Sequence, residues 1–221
     1  MRRTREEALE TRDRVLDSAE LVFLEKGFAA ATLEDIATAA GVTRGAIYGH
    51  FDNKAAVFQA TVARVKSPMD TLIESAADAK AEDPLLTLQG ALATCLRDVA
   101  TDPRTQRVIK ILVTHRDPGQ AGWLQERNRV VGDSARARLA RGLRAAVLKG
   151  QLPERLDIER GAALLHATIG GILREWLFDP SALALPKDAD RIAQAVLDTL
   201  RFSPAMLKAN RAAKPNAMAA C

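Results

Sequence analysis

The residues best suited to binding chemistry lie in one short stretch, which reads TLEDIATAAGVTRGAIYGHFDNK and runs from Thr32 to Lys54. They are donors of hydrogen bonds rather than nucleophiles. Hydroxyl, guanidinium, imidazole and ammonium groups donate to phosphate oxygens, and arginine also reads guanine edges. The chemistry that this set could do is the binding of DNA. The candidate contacts are Thr32, Thr43, Arg44, Gly45, Tyr48, His50 and Lys54.

Two short helices joined by a tight turn would position these side chains. Thr32 is a good N-cap, and an apolar stripe at helical spacing follows it. Gly41 stands where a helix should end with a residue in the left-handed conformation. Thr43 is the next N-cap, and the second helix is expected over residues 44–51. The inward side chains are Leu33, Ile36, Ala37 and Ala40 in the first helix and Ala46, Ile47 and Phe51 in the second.

The outward face of the second helix is unusual for a helix that is merely solvated. Gly45 and Gly49 each cost roughly 1 kcal/mol relative to alanine in a helix. A close approach by a ligand would justify both glycines, and DNA contact would give the exposed Tyr48 a function. The stretch therefore predicts a helix-turn-helix whose second helix enters the major groove. The alternative is two packed helices that bind no nucleic acid.

Enzyme chemistry finds little support. The chain has three histidines and two cysteines, and no His/Cys/Asp/Glu spacing resembles a metal site. Asp157 and Glu159 are two positions apart on a helix, so they do not face each other. No phosphate-binding loop and no nucleophile–base pair is present. We expect no catalysis, no metal and no cofactor, and a small-molecule binder that does not use DNA is the competing class.

The net charge and the cysteine content are compatible with a cytoplasmic DNA-binding protein but do not by themselves indicate one. The 221 residues carry 32 Lys/Arg and 28 Asp/Glu, so the net charge is +4, which permits DNA binding without arguing for it. No apolar run is long enough to span a membrane, and Met1-Arg2-Arg3 does not open a signal peptide. Cys95 and Cys221 do not suggest a disulfide, so a reducing cytoplasm fits. The basic start, with Arg5, is either a disordered end or an arm that reaches DNA.

Every later segment is predicted to be helical, which makes the fold all-α with about nine helices. A first helix is expected over residues 11–26, and Asp-Pro pairs at Asp83 and Asp102 mark further helix starts. Pro68 limits or kinks the helix that follows the reading stretch. The predicted division is a helix-turn-helix domain over 1–54, a ligand-binding and dimerisation domain over 55–202, and a disordered tail over 203–221.

The motif GVTRGAIYGHF, followed by DNK and Phe58, resembles the signature of the TetR family of bacterial transcription regulators. The upstream TRDRVLDSAELVFLEKGF resembles the first helix of that family, so the resemblance is continuous over residues 11–58. The later pieces DPLLTL, RVIKILVTH, KGQLPERLD and GGILREWLFDP are similar to the AcrR- and MexZ-type branch, which represses multidrug efflux operons. An activator, or a regulator of a metabolic operon, is the alternative within the family.

The resemblance implies a homodimer that reads pseudo-palindromic operator DNA and is released by a hydrophobic or amphipathic effector, which changes the spacing of the two reading heads. Small residues over 161–171, with Ala193, Val196, Leu197 and Leu200, are the expected dimer face; the alternative is that they close the core of the monomer. For any single pocket candidate, plain core is the commoner role. The candidate pocket residues are Leu96, Leu112, His115, Leu165 and Trp176.

Overall fold

The computed structural model describes residues 5–65, 82–114 and 121–208. The predicted all-α class is confirmed: the described ranges hold no strand beyond an isolated bridge between Leu156 and Leu207. None of the helices in these ranges is long and apolar enough to cross a membrane. Nine α-helices occur in them: α1 (Arg5–Ala30), α2 (Leu33–Ala40), α3 (Arg44–Tyr48), α4 (Lys54–Ala63), α5 (Pro84–Thr101), α6 (Pro103–Thr114), α7 (Ala121–Leu148), α8 (Ile158–Phe178) and α9 (Leu185–Phe202).

Helices α1 to α4 enclose an aromatic core. The Phe58 ring meets the Phe23 and Phe28 rings edge-on, with centroids 5.2 and 5.1 Å away. Trp123, at the start of α7, packs on the same ring at 5.8 Å. Aromatic rings in this arrangement bury large apolar areas and attract each other through their quadrupoles. The reading stretch is therefore mounted on a rigid base.

Helix α1 breaks where the sequence predicts. Gly27 has φ 74°, which L side chains rarely adopt, and a last helical turn follows it to Ala30. The start differs from the prediction, because helix extends back to Arg5 rather than beginning at Thr11. The Thr11 hydroxyl donates to the Glu7 carbonyl at 2.8 Å, so this added segment is continuous helix. Arg2 and Arg3 lie outside the described residues.

Helices α4 and α6 both pack with the N-terminal helices. Val57 and Val62 of α4 are buried in the same cluster as the α1 side chains, although the predicted domain boundary falls between residues 54 and 55. Val108 and Ile111 of α6 join that cluster, each only 1% exposed. Val108 and Ile111 thus face the N-terminal helices, whereas Ile109 of the same helix packs against the C-terminal cluster. A boundary drawn by chain order does not describe this packing.

The C-terminal bundle is built from α5, α7, α8 and α9 around one apolar cluster. Asp83 caps α5 as predicted, and Asp157 caps α8; each carboxylate accepts from the backbone amide three residues on. A Cβ added at Gly161 would lie 3.3 Å from a Leu143 methyl and 3.5 Å from a Leu200 methyl. Glycine at this position therefore lets α8 approach α7 and α9 closely.

Part of the expected dimer face is monomer core. Ala193, Leu197 and Leu200 are buried against the other helices of the same chain, so the prediction that they face a partner is wrong. They occupy the inward stripe of α9, which contacts α5. Val196 is partly buried against the same cluster. The spacing alone could not tell an inward stripe from an intersubunit one, because both are apolar at helical period.

The start of the predicted tail is ordered. Met206 is buried, in a 3₁₀ turn spanning Pro204–Met206. The Asp157 amide donates to the Met206 carbonyl at 2.8 Å, and the Lys208 amide donates to the Arg155 carbonyl at 2.9 Å. Disorder over residues 203–208 is therefore contradicted. Residues 209–221 and the segment around Pro68 lie outside the described residues.

Candidate nucleic-acid interface

Helix α2 is fixed at its start by a capping box. The Thr32 hydroxyl accepts from the Asp35 amide at 3.0 Å, and the Asp35 carboxylate accepts from the Thr32 amide at 2.9 Å. Two of the otherwise unpaired backbone donors are thereby satisfied by residues only three positions apart. The exposed Thr32 is held in one place by its neighbours in sequence, as a contact residue at the start of α2 requires.

The turn between α2 and α3 follows the predicted chemistry. Gly41 is left-handed at φ 62°, and its amide donates to the Ala37 and Thr38 carbonyls. The Val42 amide also donates to the Ala37 carbonyl, at 3.0 Å, which closes the C-terminal turn of α2. Thr43 then caps α3 by accepting from the Ala46 amide at 3.2 Å. These contacts set the angle at which α3 leaves the turn.

Helix α3 is shorter than predicted, but its turn continues. Regular helix ends at Tyr48 rather than at Phe51. The His50 and Phe51 amides still donate to the Ile47 carbonyl, each at 2.9 Å, so residues to 51 remain wound. Ile47 is fully buried and Phe51 nearly so, which matches the predicted inward side. The loss of a regular last turn leaves the predicted outward face unchanged.

Arg44 and Tyr48 form a pair on the outward face of α3. The Arg44 Nη2 donates to the Tyr48 hydroxyl at 3.0 Å, and the guanidinium lies 5.5 Å from the tyrosine ring centre. The hydrogen bond to Tyr48 raises the pKa of Arg44. Like any arginine, it is a cation at neutral pH. Tyr48 is 48% exposed. An arginine and a hydroxyl held together in this way can contact neighbouring atoms of one ligand.

The Lys54 side chain makes hydrogen bonds within the protein that the sequence did not predict. Its ammonium donates to three carbonyls of the α1–α2 connection, those of Phe28 (2.7 Å), Ala29 (3.1 Å) and Ala31 (2.8 Å). It also lies 4.5 Å from the centre of the Phe28 ring. An ammonium has three hydrogens, and these contacts use all of them. The side chain ties α4 to the base of α2 and has no hydrogen left for a phosphate in this arrangement.

The two outward glycines are not required by the fold. A Cβ at Gly45 would come no closer than 3.8 Å to another atom, and one at Gly49 no closer than 3.4 Å, both ordinary contacts. Gly49 has φ −69°, so its backbone is open to any residue. His50, half-buried beside the Phe51 ring, is the next side chain on the chain. The outward surface of α3 therefore lacks side chains at Gly45 and Gly49, on either side of Tyr48, for no reason internal to the fold.

An electrostatic contact stabilises the base of α2. Lys26 of α1 donates to the Asp35 carboxylate at 2.8 Å. That hydrogen bond, followed by the bonds from Thr32, lowers the pKa of Asp35 to about 2, and the same contact raises the pKa of Lys26. Asp35 is therefore ionised at neutral pH and occupied by protein partners. It does not present a free negative charge to DNA.

Four of the seven predicted contact residues border one open cleft of about 560 Å³, whereas Thr43, Gly45 and His50 are not part of its lining. Thr32, Arg44, Tyr48 and Lys54 line it, so α2, α3 and the start of α4 come together on one surface. The cleft also includes Glu34 and Asn53, which sequence reasoning did not select. Asn53 caps α4 through the Ala56 amide at 2.9 Å. Asn before a helix was the available signal for it.

The predicted pocket residues do not share one environment. Leu96, Leu165 and Trp176 belong to the apolar cluster of the C-terminal bundle, where they are 0–8% exposed. Leu112, on α6, packs instead against the N-terminal cluster. His115 lies outside the described residues. The sequence could not separate the two groups, because an apolar residue at helical spacing does not reveal which neighbour it faces.

A helix-turn-helix at the N-terminus of a larger helical body defines a class, the DNA-binding regulators. Residues 15–61 match the family model "Bacterial regulatory proteins, tetR family", and residues 83–202 match "MAATS-type transcriptional repressor, C-terminal region". The chain is 38% identical to the HTH-type transcriptional regulator TtgR of Pseudomonas putida, over 94% of this chain and all of that protein.

Solved structures agree over nearly the whole length. MexZ of Pseudomonas aeruginosa, a repressor responsible for antibiotic resistance, is 35% identical with a TM-score of 0.75 and covers 90% of this chain and 99% of its own. SmeT in complex with triclosan is 30% identical with a TM-score of 0.77, covering 93% and 98%. SmeT is the repressor of the Stenotrophomonas maltophilia multidrug efflux pump SmeDEF.

This chain belongs to the TetR family of bacterial transcription regulators. Within the family, its C-terminal region is of the MAATS repressor type, and its whole-length similarity is to regulators such as TtgR and MexZ. The resemblance read from GVTRGAIYGHF and the later pieces is confirmed at the level of family and branch.

Proposed function

We propose that this protein is a cytoplasmic, ligand-responsive repressor of a multidrug efflux operon. The observation that carries the proposal is the bare, donor-edged surface of α3, mounted on the capped turn at Gly41. The whole-length similarity to MexZ and SmeT supports the choice of regulated genes. Operator binding would block transcription, and an effector would release the protein.

The reading surface has two kinds of contact. Arg44 is placed to read a guanine edge or a phosphate, and Gly45 allows the helix to sit deep in the major groove. Thr43, Tyr48 and His50 would donate to phosphates and set the register. The Thr32 hydroxyl donates to the Asp35 carboxylate at 2.8 Å, so Thr32 would border the DNA without donating to it in this arrangement. For Lys54, the ammonium is engaged within the protein, so its amide at the start of α4 is the remaining phosphate donor.

A homodimer would form through the outer face of α8. Ala163, Ala167, Gly170 and Arg174 are exposed at spacings of four, three and four residues, which is one helical stripe. A Cβ at Gly170 would meet nothing within 4 Å, so a partner helix can approach closely. Phe178, 57% exposed, continues the stripe. A two-fold dimer would present two copies of α3 to successive major grooves of a pseudo-palindromic operator.

The effector would be a small hydrophobic or amphipathic molecule that enters the C-terminal bundle. Leu96, Leu165 and Trp176 are the pocket candidates that share its apolar cluster. SmeT, a relative with a similar fold, has been solved with triclosan bound. A ligand shifts the equilibrium only by its differential affinity for the two states, and a hundredfold loss of DNA affinity needs about 2.7 kcal/mol.

The deciding experiment is a titration of the full chain onto labelled DNA from its own upstream intergenic region. Salt near 0.15 M and excess unrelated DNA would suppress sequence-independent phosphate binding. We expect a competitor-resistant complex that contains two subunits or a multiple. Scrambling the protected sequence should abolish the complex. A ligand-free refolded sample that also binds no genomic fragment specifically would overturn the proposal and favour a small-molecule binder that does not use DNA.

A further inference from the structure

Five charged side chains join helices α1 and α4 to helix α6. They are Asp17, Glu20, Arg64, Arg104 and Arg107, together called the charged node. Glu20 of α1 is 2% exposed and receives Arg107 Nε at 2.5 Å. Arg104 Nε lies 3.4 Å from the other Glu20 oxygen, too poorly aligned for a hydrogen bond. Glu20 and Arg107 are 87 positions apart in sequence.

A second acid ties the connecting helix into the same node. One Asp17 oxygen accepts from Arg104 Nη2 at 2.7 Å and from Arg64 Nη1 at 2.7 Å. Arg64 is the C-cap of α4, so the node reaches α1, the end of α4 and α6 at once. A shift of α6 along α1 would break contacts to both acids, including the Asp17 oxygen that also holds the end of α4.

Helix α6 is in turn attached to the C-terminal bundle. The Gln106 side chain donates to the Val99 and Ala100 carbonyls at 3.0 and 3.1 Å, which fixes α6 to the last turn of α5. Val99 is itself part of the apolar cluster that holds Leu96 and Leu165. One continuous set of contacts therefore runs from the C-terminal cluster, through α5 and α6, to Glu20.

The contact between α6 and α1 includes charged as well as apolar side chains, and the two kinds constrain the helices differently. Removing a carboxylate from water costs several kcal/mol, and well-packed apolar residues often hold two helices at least as firmly. A charged pair differs in being directional, since the hydrogen bonds exist only in one register of the two helices. The Val108 and Ile111 contacts bury apolar area and tolerate sliding much better.

We propose that Glu20 is a positioning residue: through its hydrogen bond to Arg107 it fixes the register of α6 on α1, and so the placement of the DNA-reading helices relative to the C-terminal bundle. This inference rests on the proposed function, because placement matters only for a protein whose two reading heads must meet one operator. Operator affinity scales with the fraction of molecules whose heads have the competent separation.

The test compares Glu20→Gln with the wild type. The amide keeps the shape of the carboxylate and removes its charge. We expect operator affinity to fall by about tenfold, since a spread of head positions lowers the competent fraction. Affinity for unrelated DNA should not change, because phosphate binding does not require a fixed head separation. All binding is measured well below the midpoint of thermal unfolding of each variant.

Head placement is measured separately, without DNA. Spin labels on Glu10→Cys, exposed on α1, report the distance between the two heads of a dimer in a Cys221→Ser background. Cys95 is buried and its thiol pKa is raised to about 12 by burial, so it stays unlabelled. Glu20→Gln should broaden the distance distribution. This readout distinguishes a failure of the inference from a failure of the proposed function, because it needs no operator.

Two further variants make the result decisive. Arg107→Gln removes the hydrogen bond to Glu20 from the side of α6 and should show the same changes, and it serves as the test if Glu20→Gln does not fold. Asp190→Asn breaks a solvent-exposed ion pair with Arg97, between α9 and α5 of the C-terminal bundle, and should change neither readout. A folded Glu20→Gln protein with wild-type operator affinity and wild-type label distances would overturn the inference and leave Glu20 a structural residue.

Discussion

Helices α2 and α3, which form the candidate DNA-binding surface, and helix α6, which links them to the C-terminal bundle, are positioned by contacts of very different sequence separation. Helices α2 and α3 are set by contacts such as Thr32 to Asp35 and Thr43 to Ala46, three positions apart. Helix α6 is set by its contacts with Glu20, 87 positions away from Arg107. Local contacts form wherever the residues occur, whereas distant ones require the fold to be complete.

In the proposed function, this difference separates the helices that would read DNA from the helix that would control their placement. The surface around Arg44 is built on the packing of α1 to α4. Its position relative to the bundle would depend on α6, whose charged contacts to Asp17 and Glu20 fall on α1. A regulator needs this separation, because an effector must change the placement of the reading helices without dismantling them.

The largest expected effect is a loss of stability in the aromatic core of α1 to α4, the base on which α2 and α3 rest. Phe58→Ala would remove a ring that contacts Phe23, Phe28 and Trp123, and should lower the free energy of unfolding by about 3–5 kcal/mol. Leu143→Ala, in the core of the C-terminal bundle, is the matched variant at about 2–5 kcal/mol. Urea unfolding would measure both. If the aromatic core supports the DNA-reading surface, Phe58→Ala should also weaken DNA binding far more than Leu143→Ala. Equal weakening by the two variants would contradict a separation between the DNA-reading part and the C-terminal bundle.

The next effect is on reading alone. Arg44→Ala should weaken operator binding by about 1–3 kcal/mol and relax the preference at one base pair, if the guanidinium reads a guanine edge. Its melting temperature should stay at the wild-type value, because the side chain is exposed and its hydrogen bond is to the neighbouring Tyr48. Arg141→Ala, exposed on α7, is the control for loss of one positive charge. Operator affinity unchanged in Arg44→Ala would remove α3 from the interface.

A smaller effect should carry opposite signs for stability and binding. Gly45→Ala should stabilise the fold by roughly 0.5–1 kcal/mol, because the added Cβ has room and alanine favours helix. Operator affinity should nevertheless fall, since the methyl group would stand between the helix and the groove. Gly90→Ala on α5, where a Cβ meets nothing within 4 Å, should stabilise the protein without changing DNA binding. A Gly45→Ala protein that binds as well as wild type would show that the bare face is incidental.

The smallest effect concerns the base of α2. Contacts with Lys26 and Thr32 lower the pKa of Asp35 to about 2, below its ordinary value of 3.8. The stabilisation from its ionised form is therefore complete above about pH 4 and is lost as pH falls towards 2. The stability difference between wild type and Asp35→Asn should be present at pH 6 and should shrink over that acidic range. A difference that stays constant down to pH 2 would exclude the ion pair as its source.

Sequence patterns predicted the elements well where a side chain acts on nearby backbone. The caps at Thr32, Thr43, Asp83 and Asp157 and the left-handed Gly41 are all where their residue types place them. The start of α1 was missed, because the polar residues before Thr11 carry no apolar stripe to mark a helix. Disorder was wrongly expected at Met206, since a composition rich in small and polar residues does not reveal a partner segment elsewhere in the chain.

The candidate site was predicted in part. Thr32, Arg44 and Tyr48 were identified from types and spacing, and they do line one cleft. The position of the Lys54 ammonium on three carbonyls of another helix connection was not predictable, because those carbonyls lie 23 to 26 residues away. Leu112 was grouped with Leu96 for the same reason: an apolar stripe shows that a helix is buried, but not on which cluster.

The sequence by itself determined the all-α class, the capped helix-turn-helix and the family of this protein, because these depend on residues a few positions apart or on a continuous motif. Only the tertiary structure decided that α6 belongs to the base of the reading unit, that the inward stripe of α9 is monomer core, and that Glu20 is buried between two arginines. In each case, a helix face or side chain contacts one of several chemically similar surfaces. Close packing and the pairing of buried charge decide which one, and both exist only in the assembled chain.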